Sequence, residues 1–394
     1  MDITQPKIIT GIDLGNSSIR VAIGKTCEDG VEIIGIGLCP SQGLIKFLSN
    51  PEAAATAIRS AIDAAELMAG CKVENAIVGI LNLTACSQYA HANVLLKEGK
   101  VGEQDYLKAI ESVQSIPIAP ESQILHTIPL EFVIDNNTRT SQPLGLTGSS
   151  LEINAHIITI GSDYMSKVLE ACDLSGLSET RIILQALAVA ETELFQDERE
   201  KGVLHIDFGA SHLKMALFSK GVLQFYKSIG VAGNQLTSDV AISLRIKMAH
   251  AENVKRLYGC CFESMSDCSN TIEVLGYKGK VLIVTSQKVL AEILGPRVEE
   301  MLLIMARYLK QAGFGNELPA GVVITGGTSS MLGMKELAMQ QFNMPVRIGS
   351  PITINGVLDK ISQPQHSTAV GLVMLGAKEF RQTAINNHSK IPFT

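Results

Sequence analysis

The sequence predicts an α/β protein of two lobes, each organised around a β-sheet, and three observations carry that prediction. Residues Ile8 to Ile12 are apolar, Asp13 to Ser18 form a polar turn with a glycine, and Ile19 to Ile23 resume an alternating β-branched pattern. That succession spells a β-hairpin. The same grammar returns at Gly202 to Ile206, Asp207 to His212 and Leu213 to Phe218, a weak internal repeat. Strand-like and helix-like stretches then alternate after each hairpin, which fits two sheet-based lobes facing one cleft.

In chain order, Val31 to Cys39 reads as a third strand. Pro51 to Ala69 reads as a helix whose inward positions are Ala54, Ile58, Ala61, Ile62, Ala65 and Met68, and Ile77 to Leu81 as a buried strand. From Leu83 to Asn154 the character changes. Gln104 to Ser115 is helical, Ile124 to Phe132 is strand, and Asn136 to Ser150 is a polar loop with Gly145 and Gly148, so a separate subdomain is inserted here. Val168 to Phe195 reads as helix, short strand (Thr180 to Leu184) and helix. Ala232 to Tyr258 reads as one helix with apolar Leu236, Val240, Leu244, Met248 and Val254. A long helix from Ser286 to Gln311 is expected to be interrupted at Gly295-Pro296, because proline has no backbone donor. Gly321 to Ile324 is a buried strand that runs into Thr325-Gly326-Gly327, ahead of a helix from Gly333 to Gln341. The expected organisation is lobe 1 core at 1–82 and 159–200, the insertion at 83–158, lobe 2 core at 201–235 and 319–368, and a lobe 2 outer subdomain at 236–318. A helix and polar tail at 369–394 return to lobe 1.

Composition narrows the function. The 394 residues are 46% hydrophobic, more than one compact core accommodates. With Lys+Arg at 33 against Asp+Glu at 39, the net charge of -6 offers no basic field for nucleic acid. The eight cysteines (Cys27, Cys39, Cys71, Cys86, Cys172, Cys260, Cys261, Cys268) form no C-x-x-C pair and no zinc spacing, and read as reduced cytosolic thiols. The start lacks the apolar core of a signal peptide. No apolar run approaches the roughly 20 residues of a membrane-spanning helix.

Three turns could carry chemistry. Asp13-Leu14-Gly15-Asn16-Ser17-Ser18 is either an ordinary strand connection or a nest whose backbone N–H groups meet a phosphate, with Asp13 able to hold magnesium through water. Asp207-Phe208-Gly209-Ala210-Ser211-His212 is its counterpart, in which Asp207 is otherwise a turn residue and His212 a solvated or core histidine. Thr325-Gly326-Gly327-Thr328-Ser329-Ser330, between strand and helix, is a simple turn or a place where a ligand approaches backbone closely. Glu252 and Lys255, three apart on one helical face, are a surface ion pair or a grip on ribose and base.

These turns occur in the order of the actin, Hsp70 and sugar-kinase superfamily. The chain resembles the FtsA family within it, through Ala61 to Met68 (AIDAAELM), Pro143 to Gly148 (PLGLTG), Ala232 to Val240 (AGNQLTSDV), Gly321 to Gly327, Val346 to Pro351 (VRIGSP) and Ser367 to Gly371 (STAVG). The resemblance spans about residues 8 to 380. It implies a two-lobed actin-like ATPase fold with an FtsA-type inserted subdomain, ATP or ADP bound with Mg2+, and actin-like self-polymers. It further implies a place at the division site on the inner face of the cytoplasmic membrane, anchoring of the tubulin-like protein FtsZ through its C-terminal peptide, and recruitment of later division proteins through the insertion. Carried over, Asp13, Gly15, Asn16, Ser17 and Ser18 fall on the first phosphate loop, and Asp207, Gly209, Ala210 and Ser211 on the second. Gly233, Asn234, Glu252, Lys255, Gly326, Gly327, Thr328 and Ser329 fall on the adenosine side, and Asp13 and Asp207 on the metal.

Two departures qualify the match. Ala210, Ser211 and His212 stand where the family has glycines and threonine, so ATP binding is expected with slow or no hydrolysis. Ala377 to Thr394 carries no apolar stripe wide enough for the amphipathic membrane helix of the family, so the expectation is either truncation before that helix, the favoured reading, or dependence on a partner or on avidity in a polymer. A related scaffold of type IV pilus assembly is the alternative. A small-molecule kinase would need a further general base, and no suitable aspartate stands in a loop.

Overall fold

The β1 (Ile8–Leu14) and β2 (Ser18–Cys27) strands form the first hairpin, joined by β3 (Gly30–Pro40) on the far side of β2. The computed structural model describes residues 6–28, 30–41, 49–81, 87–267, 269, 271–276, 282–314, 318–351, 355–356 and 364–385. The chain packs as two compact units, Met1–Glu193 with Val222–Phe225 and Pro351–Thr394, and Leu194–Gly221 with Tyr226–Ser350. The division falls between Glu193 and Leu194, whereas the sequence put it at 200/201.

In the first unit α1 (Pro51–Ala69) starts on Asn50, whose side chain accepts from the Ala53 N–H, and ends on Gly70 in the left-handed conformation. Its buried face is Ala54, Ala55, Ile58, Ala61, Ile62, Ala65 and Glu66. Met68, expected inside, is 38% exposed, and Glu66 takes the inward position instead. Alanines on this face let the helix lie close on β3, where a Cβ on Gly37 would come within 1.8 Å of the Ala61 carbonyl oxygen. β4 (Asn75–Ile80) runs parallel to β1. The insertion follows, with β5 (Ser87–Leu95), α2 (Glu103–Gln114), β6 (Ser122–Ile134), β7 (Thr138–Thr140) and β8 (Ser150–Gly161) in sheet order β5-β8-β6-β7. It has its own core, including Ala109, Val113, Phe132, Leu151 and Ile153. β5, β7 and β8 were not legible as strands, since β5 alternates mostly half-buried and exposed residues and β8 begins inside a polar loop. α3 (Ser162–Leu174), β9 (Glu179–Leu184) beside β4, and α4 (Gln185–Glu193) complete this part.

The second unit opens with α5 (Gln196–Lys201) and repeats the hairpin as β10 (Val203–Phe208) and β11 (Leu213–Ser219), followed in the same sheet by β12 (Val222–Ile229), of which Tyr226–Ile229 belongs to this unit. The sequence offered one helix from Ala232 to Tyr258; there are two, α6 (Gly233–Leu244) and α7 (Met248–Tyr258). Arg245 adopts φ 52 and caps α6, and the break resets the helical phase, which leaves Met248 51% exposed. The β13 (Thr271–Leu275) and β14 (Leu282–Ser286) strands form a two-stranded sheet. α8 (Gln287–Gln311) is continuous through Pro296, contrary to the expected interruption. Leu290, Leu294, Val298, Met301, Met305 and Leu309 form one buried stripe across the proline, and their burial outweighs the single missing backbone bond. β15 (Val322–Thr325), α9 (Met334–Phe342) and β16 (Val346–Ile348) complete a sheet of order β12-β11-β10-β15-β16, with β15 parallel to β10.

The chain returns to the first unit with β17 (Asn355–Gly356) and α10 (Ser367–Ile385), giving the sheet order β17-β3-β2-β1-β4-β9. α10 packs Ala369, Val370, Val373 and Ala377 against Ile9, Ala22 and Ile33, while Ile12, Val21 and Ile23 point to the α1 side. The period-two alternation of the strands thus separates two helical layers. Both large sheets share one plan, an antiparallel hairpin with a parallel strand added beside its first member. The polar tail beyond residue 385 and the Leu83 edge of the insertion lie outside the described residues.

Candidate functional site

In the first unit, Asp13 lies near the end of β1 and is 4% exposed. Its cross-strand partner is Arg20, whose Nη1 lies 3.3 Å from Oδ2. On the other oxygen, Oδ1 accepts from Gln185 Nε2 at 2.6 Å, and Gln185 also donates to the Leu14 and Gly79 carbonyls. The turn closes through Gly15 N–H to the Ser18 carbonyl at 3.2 Å, and Ser41 ties it down by donating from Oγ to Gly15 O at 2.9 Å. Asn16, Ser17 and Ser18 form the tip, with Ser17 exposed.

Gln185 was missed by sequence reasoning, although it is the lone polar residue in the run Ile182 to Val189. It starts α4 next to Leu184, whose N–H donates to His126 Nε2 at 3.0 Å. Burial, then the positive charge of Arg181 and the neighbouring His156, push the His126 pKa down to about 4. His126 is therefore a neutral acceptor that fixes the strand end from which Gln185 reaches Asp13.

In the second unit three segments meet. The Asp207 loop folds over Gly209, whose N–H donates to the His212 carbonyl at 3.1 Å. The first N–H groups of α6 donate into this loop, Gly233 to Gly209 O at 3.1 Å and Asn234 to Ala210 O at 2.6 Å. A Cβ on Gly233 would stand 2.8 Å from Thr328 Oγ1, so the glycine permits contact with the third segment. That segment turns at Gly326 with φ 86, where a Cβ would meet Asp207 Oδ1 and the Phe208 carbonyl, each at 2.4 Å. Thr328 N–H donates to Phe208 O at 3.3 Å, Ser329 Oγ donates to Gly326 O at 2.7 Å, and Gly327 is exposed with open space at its Cβ position. His212, half-buried, contacts Ser211 Oγ through Nδ1 at 2.8 Å. Burial first, and the Lys214 charge second, lower its pKa.

Glu252 and Lys255 join the same cluster through α6. Lys255 is 8% exposed and its Nζ reaches Gly233 O at 2.9 Å, Thr237 Oγ1 at 2.7 Å and Glu252 Oε2 at 2.7 Å. Lys255 is thus a buried clamp of α7 on α6, while Glu252, with a 41% exposed side chain, is the accessible member. Burial pushes the Glu252 carboxyl up, but bonds from Lys255 and Thr237 overcome it and hold it below its ordinary value.

Asp207 repeats the arrangement at Asp13. Its cross-strand partner is Lys214, with Nζ 2.6 Å from Oδ2. Each of the two carboxylates expected to hold magnesium through water thus has a basic side chain against its Oδ2. Among the described residues no group of three or more His, Cys, Asp or Glu could hold a metal ion.

Solved structures share this fold. The PilM-PilN type IV pilus biogenesis complex aligns with TM-score 0.65 at 14% identity over 94% of this chain and 98% of that chain. MreB 5 of Spiroplasma citri bound to AMPPNP aligns with TM-score 0.58 at 14% identity over 98% and 99%. The protein has an actin-like ATPase fold. Within it, the family model "Cell division protein FtsA" matches residues 204–371, and "SHS2 domain inserted in FTSA" matches residues 85–159. The cell division protein FtsA of Pseudomonas aeruginosa is 35% identical over 95% of this chain and 90% of its own length. That of Escherichia coli strain K12 is 31% identical over 98% and 94%, and that of Neisseria meningitidis serogroup B is 34% identical over 95% and 91%. The chain belongs to the FtsA family of cell division proteins.

Proposed function

We propose that this protein binds ATP or ADP and, in that state, forms actin-like polymers that hold FtsZ at the inner face of the cytoplasmic membrane. The observation that carries the nucleotide reading is the convergence, within the second unit, of the Asp207 loop, the start of α6 and the Gly326 turn. That cluster joins small residues, a tight glycine turn and one accessible carboxylate. Gly209, Ala210 and Ser211 would line the phosphates, and Gly326, Gly327, Thr328 and Ser329 would receive the adenosine beside Gly233 and Asn234. Glu252 would accept from ribose hydroxyls, with Lys255 holding it in place. In the first unit, the turn of Gly15, Asn16, Ser17 and Ser18 that follows Asp13 is proposed as a phosphate loop from membership of the FtsA family. MreB 5 of Spiroplasma citri, a fold neighbour, is bound to ADP in one structure and AMPPNP in another.

The polymer, the FtsZ C-terminal peptide, the later division proteins met through the insertion and the membrane are proposed from membership of the FtsA family. A role in pilus assembly has weaker support, because the PilM-PilN likeness is one of fold at 14% identity, whereas the near-full-length relatives are division proteins. Turnover is expected to be slow. Ala210 and Ser211 carry Cβ atoms at the loop, and the His212 ring, held by Ser211, occupies the end of the turn. Incubating the purified protein with ATP and measuring both bound nucleotide and released phosphate tests this. Retained ATP with little release agrees with the reading. No bound nucleotide, or brisk release, contradicts it.

A further inference from the structure

We infer that Lys214 is a nucleotide phosphate-binding residue, and that nucleotide binding by this protein depends little on a divalent cation. The inference rests on the nucleotide reading above and concerns what supplies the positive charge in that site. A polyphosphate brought against a carboxylate needs a cation between the two. In an aspartate site without other charge that cation is a metal; here it is covalently part of the chain.

The geometry is specific. Asp207 is the fifth residue of β10 and pairs in register with Lys214 of β11, so the ammonium is fixed directly across the hairpin from the carboxylate. Nζ lies 2.6 Å from Oδ2, and the two side chains are 12% and 19% exposed, so the pair sits where water screens it weakly. The pair is part of the loop cluster itself. A Cβ on Gly326 would stand 2.4 Å from Asp207 Oδ1, and the Lys214 charge is felt by His212 at the end of the loop.

The first unit carries the same device independently. Asp13 pairs in register with Arg20 at 3.3 Å, with side chains 6% and 16% exposed, and Gln185 occupies its other oxygen at 2.6 Å. Both hairpins thus set a basic side chain against the carboxylate at the strand end that feeds the loop. A metal ion entering either place would lose carboxylate charge to the existing pair and meet like charge from it. A phosphate oxygen meets a fixed cation instead, in a charge-assisted hydrogen bond.

The test is the affinity of the full chain for ADP and for ATP, measured by calorimetry with magnesium and with chelator, for wild type, Lys214→Met and Lys214→Arg. Wild-type affinity is expected to change by less than about threefold on chelation. Lys214→Met is expected to lose about tenfold or more in chelator and to recover when magnesium is added, since Asp207 is then released to hold it, while Lys214→Arg stays close to wild type. Wild-type binding that falls by more than about tenfold on chelation overturns the inference, as does a Lys214→Met protein that binds like wild type in chelator. The wild-type arm decides even if the methionine variant does not fold. Absence of nucleotide binding by wild type under both conditions overturns the nucleotide reading itself, an outcome distinct from binding that requires magnesium.

Discussion

At the scale of single residues, Gly326 shows how closely the second-unit segments approach. Its φ of 86 and the 2.4 Å approach of Asp207 Oδ1 and Phe208 O to a Cβ leave no room for alanine. Gly326→Ala is expected to lose about 1–3 kcal/mol of stability, from the left-handed backbone and the displaced loop, and to weaken nucleotide binding; thermal unfolding and nucleotide titration check the two effects. Of the site residues, the aspartates and glycines were legible because a turn between two apolar runs announces them. Lys214 and Gln185 were not, since a single polar residue within an apolar run carries no sign of the residue it will face. Their roles come from register, Asp207 opposite Lys214, and from a contact across 172 positions, Gln185 to Asp13.

At the scale of elements, the helices that cover the first sheet depend on small residues and on one buried acid. Gly37→Ala would put a Cβ 1.8 Å from the Ala61 carbonyl, so α1 or β3 must move. A loss of about 2–4 kcal/mol is expected in chemical denaturation. Glu66, on the same helix, is 6% exposed. Burial pushes its carboxyl up, but Lys72, the Val73 N–H and Arg59 together hold it down to about 2 from its ordinary 4.5. A carboxyl depressed by folding stabilises the protein fully above 4.5 and loses that contribution as the pH falls towards about 2. Glu66→Gln is expected to cost about 1–3 kcal/mol near neutral pH and to remove this component of the acid transition, as read from unfolding curves across the window. The boundaries that sequence reasoning missed have local causes. Arg245 accepted a left-handed cap inside an apparently unbroken periodicity, and the buried stripe of α8 carried the helix through Pro296.

At the scale of the whole molecule, the duplicated plan was legible from two hairpin patterns alone, and each sheet repeats it down to the cation facing its aspartate. The insertion was legible as a break in character, though three of its four strands were not, because its sheet presents mixed rather than cleanly alternating faces. The family of the chain places it among cell division proteins, and the function proposed above is that its nucleotide-bound polymers hold FtsZ. The most direct measurement is co-sedimentation of the purified protein with the FtsZ C-terminal peptide, with ATP and without nucleotide, in the presence and absence of lipid vesicles. Protein and peptide are expected together in the pellet when ATP is present, with the peptide left in the supernatant without the protein. A peptide that stays in the supernatant under every condition, with no ATP-dependent sedimentation of the protein, would overturn the proposed function.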